Sequence, residues 1–222
     1  MAQGQLILML EGESEYKSVP RLVNRMILPP SLRMTGSPHV LHGVSNLAYC
    51  QNGQWRLVGN EQKTKWLSYF RGIRNAYVLV LLDGDGKEDS GKRFCVRDAA
   101  CFLTRSAQEA GAGKIFSLAV VFARQEFESW LLAGCESLYS NLSERDIAAL
   151  EDAPRDAKKK IRDIKQGRYK EIFDQPEFVK QLDIDLLSSR MRSFRRFEHA
   201  LSQLAEAAET GRHICTPVEK EF

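Results

Sequence analysis

The chain has 222 residues, 43% of them hydrophobic and 27% charged, and carries a formal net charge of +3. These proportions describe a folded globular chain, exclude a disordered one, and supply no bulk charge that would by itself demand a polyanionic partner. The five cysteines, Cys50, Cys95, Cys101, Cys135 and Cys215, are odd in number and form no CxxC pair. Neither a disulfide framework nor a structural zinc site is therefore expected, and reduced thiols in a cytoplasmic protein are the simplest reading.

The first element is the apolar run Leu6 to Leu10. It is too short to span a bilayer, lacks a basic leader and ends in acidic residues, so it reads as a strand covered on both faces. Over residues 13–27 the period changes. Val19, Leu22, Val23 and Met26 form one helical stripe, with Pro20 expected near the first turns and Pro29-Pro30 as the stop. Residues 31–61 are rich in Gly, Ser, Asn and Pro and read as irregular, with a short strand near Trp55.

A helix is expected from Gln62 to Ile73, then the clearest strand of the chain, Ala76 to Leu82. An acidic loop follows over 83–90, then a helix from about Lys92 to Ala110, an apolar strand at Ile115–Phe122 and a helix starting near Glu126. Buried strands alternating with amphipathic helices give an α/β fold with a mainly parallel central sheet flanked by helices. From Ser143 onward no strand is expected. Ser143 reads as an N-cap, a helix covers Asp156–Lys165, and one long helix runs from Leu186 to Ala208 with Met191, Phe194, Phe197, Leu201 and Leu204 on one face. The expected organisation is a core over residues 1–140 and a C-terminal helical extension over 141–222.

Two acidic clusters follow apolar strands. Glu11-Gly12-Glu13-Ser14-Glu15 sits where the first strand ends, with Gly12 expected to permit a sharp turn and Glu15 to return from the first turn of the helix. Asp83-Gly84-Asp85 follows the strongest strand. In an open α/β sheet, ligands gather at the carboxyl ends of strands. Carboxylates concentrated there repel one another unless a cation compensates them, and Mg²⁺ takes such oxygen ligands. Acidic turns are also ordinary turn chemistry, so either cluster taken alone has a bland reading.

A hydrophobic strand ending in Glu-Gly and a later one ending in Asp-x-Asp together resemble the Toprim domain. That domain occurs in topoisomerases, bacterial primases, recombination proteins and overcoming-lysogenization-defect (OLD) nucleases. The matching residues are Leu8 to Gly12 and Val80 to Asp85, and Glu11 to Glu15 is similar to the EGxSE form of the OLD-like branch. A further block, Arg124-Gln125-Glu126-Phe127-Glu128-Ser129-Trp130-Leu131-Leu132, resembles small Toprim-like proteins encoded beside ATPases in bacterial defence loci. The likeness spans about residues 5–135, with a looser match at Ser193 to Phe197.

The resemblance implies one or two Mg²⁺ or Mn²⁺ ions held by Glu11, Glu15, Asp83 and Asp85. Asp89 is a less secure third acidic position. Glu128 has two readings, a metal ligand or a favourable acid in the first turn of a helix. Glu11, Asp83 and Asp85 would carry catalysis, together with a lysine near the metals, for which Lys158 and Lys159 are the candidates by position. Trp130, Leu131 and Leu132 read as core. The basic run Lys158 to Arg162 and the group Arg190, Arg192, Arg195 and Arg196 are either solvated helix faces or phosphate contacts.

Ser14 reads as a cap, because no histidine is placed to activate it, and His39 and His42 lack zinc partners. No GxxxxGK[ST] loop is present, so the chain is not itself a P-loop ATPase. Topoisomerase and primase activities are not expected. The expected function is metal-dependent phosphodiester cleavage in DNA or RNA, as a soluble anti-phage effector with a partner ATPase and without a membrane. The rival is a non-catalytic regulatory subunit that acts by binding an ATPase. The sequence leaves the oligomeric state, including a homo-oligomer, open.

Overall fold

The structure is a computed structural model that describes residues 4–26, 29–41, 48–51, 54–57, 59–84, 95–152 and 156–218. The chain opens with β1 (Gly4–Leu10), α1 (Glu13–Arg25), β2 (Leu32–Met34) and β3 (His39–Val40). A hairpin of β4 (Ala48–Gln51) and β5 (Gln54–Leu57) leads to α2 (Gly59–Tyr69), β6 (Ala76–Asp83) and α3 (Val96–Gln108). Then come β7 (Ser117–Ala123), α4 (Glu128–Gly134), α5 (Glu136–Tyr139), α6 (Glu144–Ala148) and α7 (Ala157–Ile164). The chain continues through α8 (Glu171–Gln181), α9 (Ile184–Arg190), α10 (Arg192–Thr210) and β8 (Cys215–Thr216).

The fold is α/β, as the alternation of apolar strands and amphipathic helices led one to expect. The six-stranded sheet has the order β2-β1-β6-β7-β8, with β3 added beside β1, and every pairing in it is parallel. Side-chain alternation sends successive residues to opposite faces. Leu6, Leu8, Leu10, Leu79, Leu81 and Val121 enter one hydrophobic cluster with α1, α4, α8 and α10. Met9, Val78, Val80, Leu82, Val120 and Phe122 enter a second cluster with Trp66 of α2, Phe70 just after it and Leu103 of α3. Because both faces are covered, all residues of β6 and β7 are buried, which explains their unbroken apolar sequences.

The first cluster joins residues on both sides of position 140: Ile161, Phe178, Phe194, Phe197 and Leu204 pack with Leu8 and Leu131. The single long helix expected over 186–208 is instead α9 and α10, broken at Met191, whose backbone is extended at φ −114° and ψ 114°. The break lets buried Met191 enter the core while Arg192 starts a new helix. The expectation of no strand after Ser143 is also corrected. β8 pairs with Leu118 and Ala119 of β7 at the edge of the sheet. Pro20 stands inside α1 rather than in its first turns. Ser143 does cap α6, forming a capping box with Asp146.

The five cysteines are unpaired, and among the described residues no helix is long and apolar enough to cross a membrane.

Candidate metal centre

Register explains why two distant acidic segments meet. Leu10 of β1 pairs with Leu81 of β6, so the residue after β1 emerges beside the end of β6. Glu11 turns there, and its Oε2 accepts the amide N–H of Asp83 at 2.5 Å. Asp83 is the last residue of β6 and 5% exposed, and its Oδ1 accepts the amide N–H of Phe127 at 2.8 Å. That bond ties β6 to the turn between β7 and α4. Gln125 in this turn holds φ +68°, a left-handed backbone uncommon outside glycine.

Glycines serve the site by leaving space. Gly12 is extended, at φ −142° and ψ −179°, which any residue adopts, so the expected need for a sharp turn is not the reason for it. A Cβ there would lie 2.9 Å from Oε2 of Glu15. At Gly84 a Cβ would meet the carbonyl of Ala123 at 2.9 Å and the amide of Gln125 at 3.2 Å. The backbones at the ends of β6 and β7 can close up only with glycine in that position.

Glu15, in the first turn of α1, is buried and accepts a bond from Gln175 Nε2 of α8 at 3.1 Å. Ser14 donates to Glu15 as well, so it is not the helix cap that the sequence suggested, and Gly12 occupies the N-cap. Glu128, the first residue of α4, is fully buried. Its Oε1 accepts from Tyr169 Oη at 3.0 Å and from Gln175 Nε2 at 3.4 Å. Its Oε2 is buried and has no hydrogen-bond partner among the described residues. Lys158 Nζ of α7 lies 3.9 Å from Glu128 Oε1 and 3.1 Å from Glu171 Oε2.

Of the residues expected at the site, the structure brings together Glu11, Glu15, Asp83, Glu128 and Lys158. Lys159, the alternative lysine, is exposed, because one residue along a helix turns the side chain about 100° away. Asp85 and Asp89 lie outside the described residues, as does His42, while His39 is exposed. The other basic candidates divide. Lys160 pairs with Asp156, Arg190 donates to the carbonyl of Ala133 and Arg195 donates to the carbonyls of Ser188 and Ser189.

Sequence reading missed Tyr169, Gln175 and Glu171. Gln175 sits in Asp174-Gln175-Pro176, where the proline hides the helix and no periodicity marks an inward glutamine. Only the packing of α8 on α1 brings it in. That packing is fixed by the Arg21–Glu177 ion pair at 3.2 Å and by Arg25 donating to the carbonyls of Val179 and Leu182.

Burial holds the Asp83 carboxyl well above the usual range, and the nearby charges of Glu11, Glu15 and Glu128 push it further, against the pull of Lys158. Burial likewise lifts Glu128 to about 7, partly offset by Lys158. For Lys158, burial pulls the ammonium down, but Glu128, Glu171 and Asp83 outweigh it and raise it. Asp83 thus lies within electrostatic reach of three other carboxylates, Glu11, Glu15 and Glu128, and of the Lys158 ammonium.

This excess of negative charge has a consequence for the metal-free protein. A carboxyl raised on folding is protonated in both states at low pH. Above its unfolded value the unfolded chain ionises first, so stability falls until the folded value is reached. For Glu128 the window runs from 4.5 to about 7, and the loss is on the order of 3 kcal/mol. Urea unfolding in chelator should therefore show stability falling from pH 5 to pH 7.5 in the wild type, with a flatter profile in Glu128→Gln. Equal slopes in the two proteins would show that Glu128 is not the group responsible.

Among the described residues no three His, Cys, Asp or Glu side chains stand in ligand geometry around one point, and the carboxylates are held by amides, Tyr169 and Gln175 instead. The donor set nonetheless fits a hard divalent cation. It offers oxygen alone and is in excess negative charge, and the buried Glu128 Oε2 has no hydrogen-bond partner among the described residues.

The chain belongs to the DUF4276 family of domains of unknown function, whose family model matches residues 10–202. No curated protein matches it. Among solved structures it is similar to the C-terminal region of the Burkholderia pseudomallei OLD protein, at 15% identity and TM-score 0.45, covering 93% of this chain and 100% of that one. It is also similar to the C-terminal region of the Xanthomonas campestris pv. campestris OLD protein, at 14% identity and TM-score 0.42, covering 95% and 98%.

Proposed function

We propose that this chain is a divalent-metal-dependent Toprim-type nuclease that cleaves phosphodiester bonds in DNA or RNA. The observation that carries the reading is the junction of Glu11 and Asp83, with the buried Glu15 and Glu128 joined through Gln175 near enough to raise the Asp83 carboxyl. Glu11, Glu15, Asp83 and Glu128 would hold Mg²⁺ or Mn²⁺, with Asp85 as a further ligand. When bound, the ion supplies a Lewis acid for the attacking water and the leaving oxygen. Lys158 contributes fixed positive charge where negative charge develops on the phosphoryl group, and its ion pair with Glu171 positions it. The Tyr169 hydroxyl and Gln175 orient the Glu128 carboxylate. Glu11 is the candidate for proton transfer. Association with an ATPase in bacterial defence belongs to the resemblance, and the proposal includes it on that ground alone.

The test is cleavage of plasmid DNA and of a labelled RNA by the purified chain in Mg²⁺, Mn²⁺ or chelator, with two lysine variants. Lys158→Ala should lose on the order of 10²–10³-fold in rate, whereas Lys159→Ala should stay within about twofold. Equal losses in the two variants would remove Lys158 from the mechanism. No cleavage of either substrate in either metal would refute the nuclease reading for the isolated chain.

A further inference from the structure

The turn that carries Phe127 and Glu128 to the carboxylate site has a second side. Arg124 and Gln125 line a cleft of about 660 Å³ that also reaches Gly84, the neighbour of Asp83. Val120 and Phe122 of β7 and Ala200 of α10 give it apolar lining, and the starts of α3 and α10 bring basic residues to it from opposite faces of the sheet.

Among the described residues four arginines line the cleft, Arg97, Arg124, Arg192 and Arg196, against two carboxylates, Glu151 and Asp152. The carboxylates are already engaged. Arg124 pairs with Asp152 at 3.0 Å, and Arg192 pairs with Glu151 at 3.3 Å and with Asp152 at 3.5 Å. Arg97 and Arg196 are exposed and pair with no carboxylate among the described residues. Along α10 the cleft is lined by Arg192, Ser193, Arg196, His199, Ala200 and Gln203, of which Arg192, Arg196, His199 and Gln203 are spaced four, three and four apart. That is a helical stripe of cationic and hydrogen-bonding groups, set apart from the apolar stripe of Phe194, Phe197, Leu201 and Leu204 that enters the core.

An apolar lining beside free guanidinium groups suits a ligand that is flat and apolar at one end and anionic at the other. A nucleotide unit has that form, since bases stack on apolar surface and phosphates pair with arginine. The volume falls within the ~300–1,000 Å³ of small-ligand sites, so the cleft takes a unit of a single strand rather than a duplex. We propose that this cleft seats the single-stranded nucleic acid adjoining the phosphate on which the carboxylates act, with Arg97 and Arg196 on its backbone. The inference rests on the nuclease reading for the direction of the strand, whereas the binding itself can be measured without any cleavage.

The experiment is fluorescence anisotropy of a labelled oligothymidylate with the full chain in chelator, over a series of salt concentrations. Arg97→Ala/Arg196→Ala should weaken binding by at least about tenfold and lower the slope of log K against log salt by about 1.4, the value for two phosphate contacts on a single strand. Its melting temperature and Mn²⁺ binding should match the wild type. A charge-matched control, Arg71→Ala/Arg74→Ala, alters exposed arginines before β6, at the opposite end of that strand from Asp83, and should bind within about twofold of wild type.

Unchanged affinity and slope in the Arg97/Arg196 variant would overturn the proposal, even if the wild type cleaves. Equal losses in the control would overturn it too, by showing only a diffuse charge effect. Competition by free thymidine monophosphate as strong as by the oligomer would make the cleft a nucleotide pocket and not a strand path. A wild type that binds the strand through Arg97 and Arg196 but never cleaves it would leave the cleft standing and remove the nuclease.

Discussion

Asp83→Asn should abolish divalent-dependent cleavage and at the same time raise the melting temperature of the metal-free protein at pH 8. The two effects share one cause. Asp83 is buried, and Glu11, Glu15 and Glu128 hold its carboxyl well above the usual range, so its ionised form is a liability to the fold. Asparagine retains Oδ1, and with it the bond from the Phe127 amide, but removes the charge. Stability should rise by about 1–2 kcal/mol, or roughly 2–8 °C for a chain of this length. Activity should fall on the order of 10³-fold. The gain should shrink toward pH 4, near the free carboxyl's 3.8, where the folded carboxyl is protonated and the unfolded one is about half protonated. Melting curves in chelator at pH 8 and pH 4, beside cleavage assays, check both halves. A variant that is less stable at pH 8 would contradict the electrostatic account.

The second large effect is structural. Trp130→Ala should cost about 3–5 kcal/mol, the range for removing a large aromatic side chain from a close-packed core. Trp130 is fully buried, with its ring 5.4 Å from Phe127, 5.1 Å from Phe194 and 5.4 Å from Phe197. Its indole Nε1–H donates to Ser193 Oγ at 2.8 Å. Because α4 begins at Glu128, loosening Trp130 also loosens a candidate ligand. Trp130→Phe keeps most of the packing and should cost less, about 1–3 kcal/mol for the lost hydrogen bond and volume. Urea unfolding of the three proteins gives both numbers, and a loss below about 1 kcal/mol for the alanine variant would mean that α4 is not anchored through this ring.

How much of this was readable in advance divides along physical lines. β6 and β7 were legible because full burial makes a strand continuously apolar, and α1 because one buried stripe gives a 3.6-residue period. The convergence of Glu11 with Asp83 was legible as soon as both were placed at the carboxyl ends of parallel strands. The short strands β2, β3 and β8 were not, since two or three residues carry no period and exist only through the neighbours they pair with.

Met191 was read within a continuous helical stripe, and its extended backbone depends on packing that no local pattern encodes. The choice between Lys158 and Lys159 needed the helical phase of α7, which a run of lysines conceals. Gln175 and Tyr169, which position Glu15 and Glu128, come from a segment that follows no strand and carries no strand-end acidic motif, and only the folded chain identifies them.

The central claim is that Glu11 after β1, Glu15 of α1, Asp83 of β6 and Glu128 of α4 share one divalent ion. Anomalous diffraction from crystals soaked in Mn²⁺ tests it most directly. The account predicts a manganese peak in contact with Asp83 and with Oε2 of Glu128, absent from Asp83→Asn crystals. Saturating Mn²⁺ that leaves no peak between those two carboxylates would contradict it.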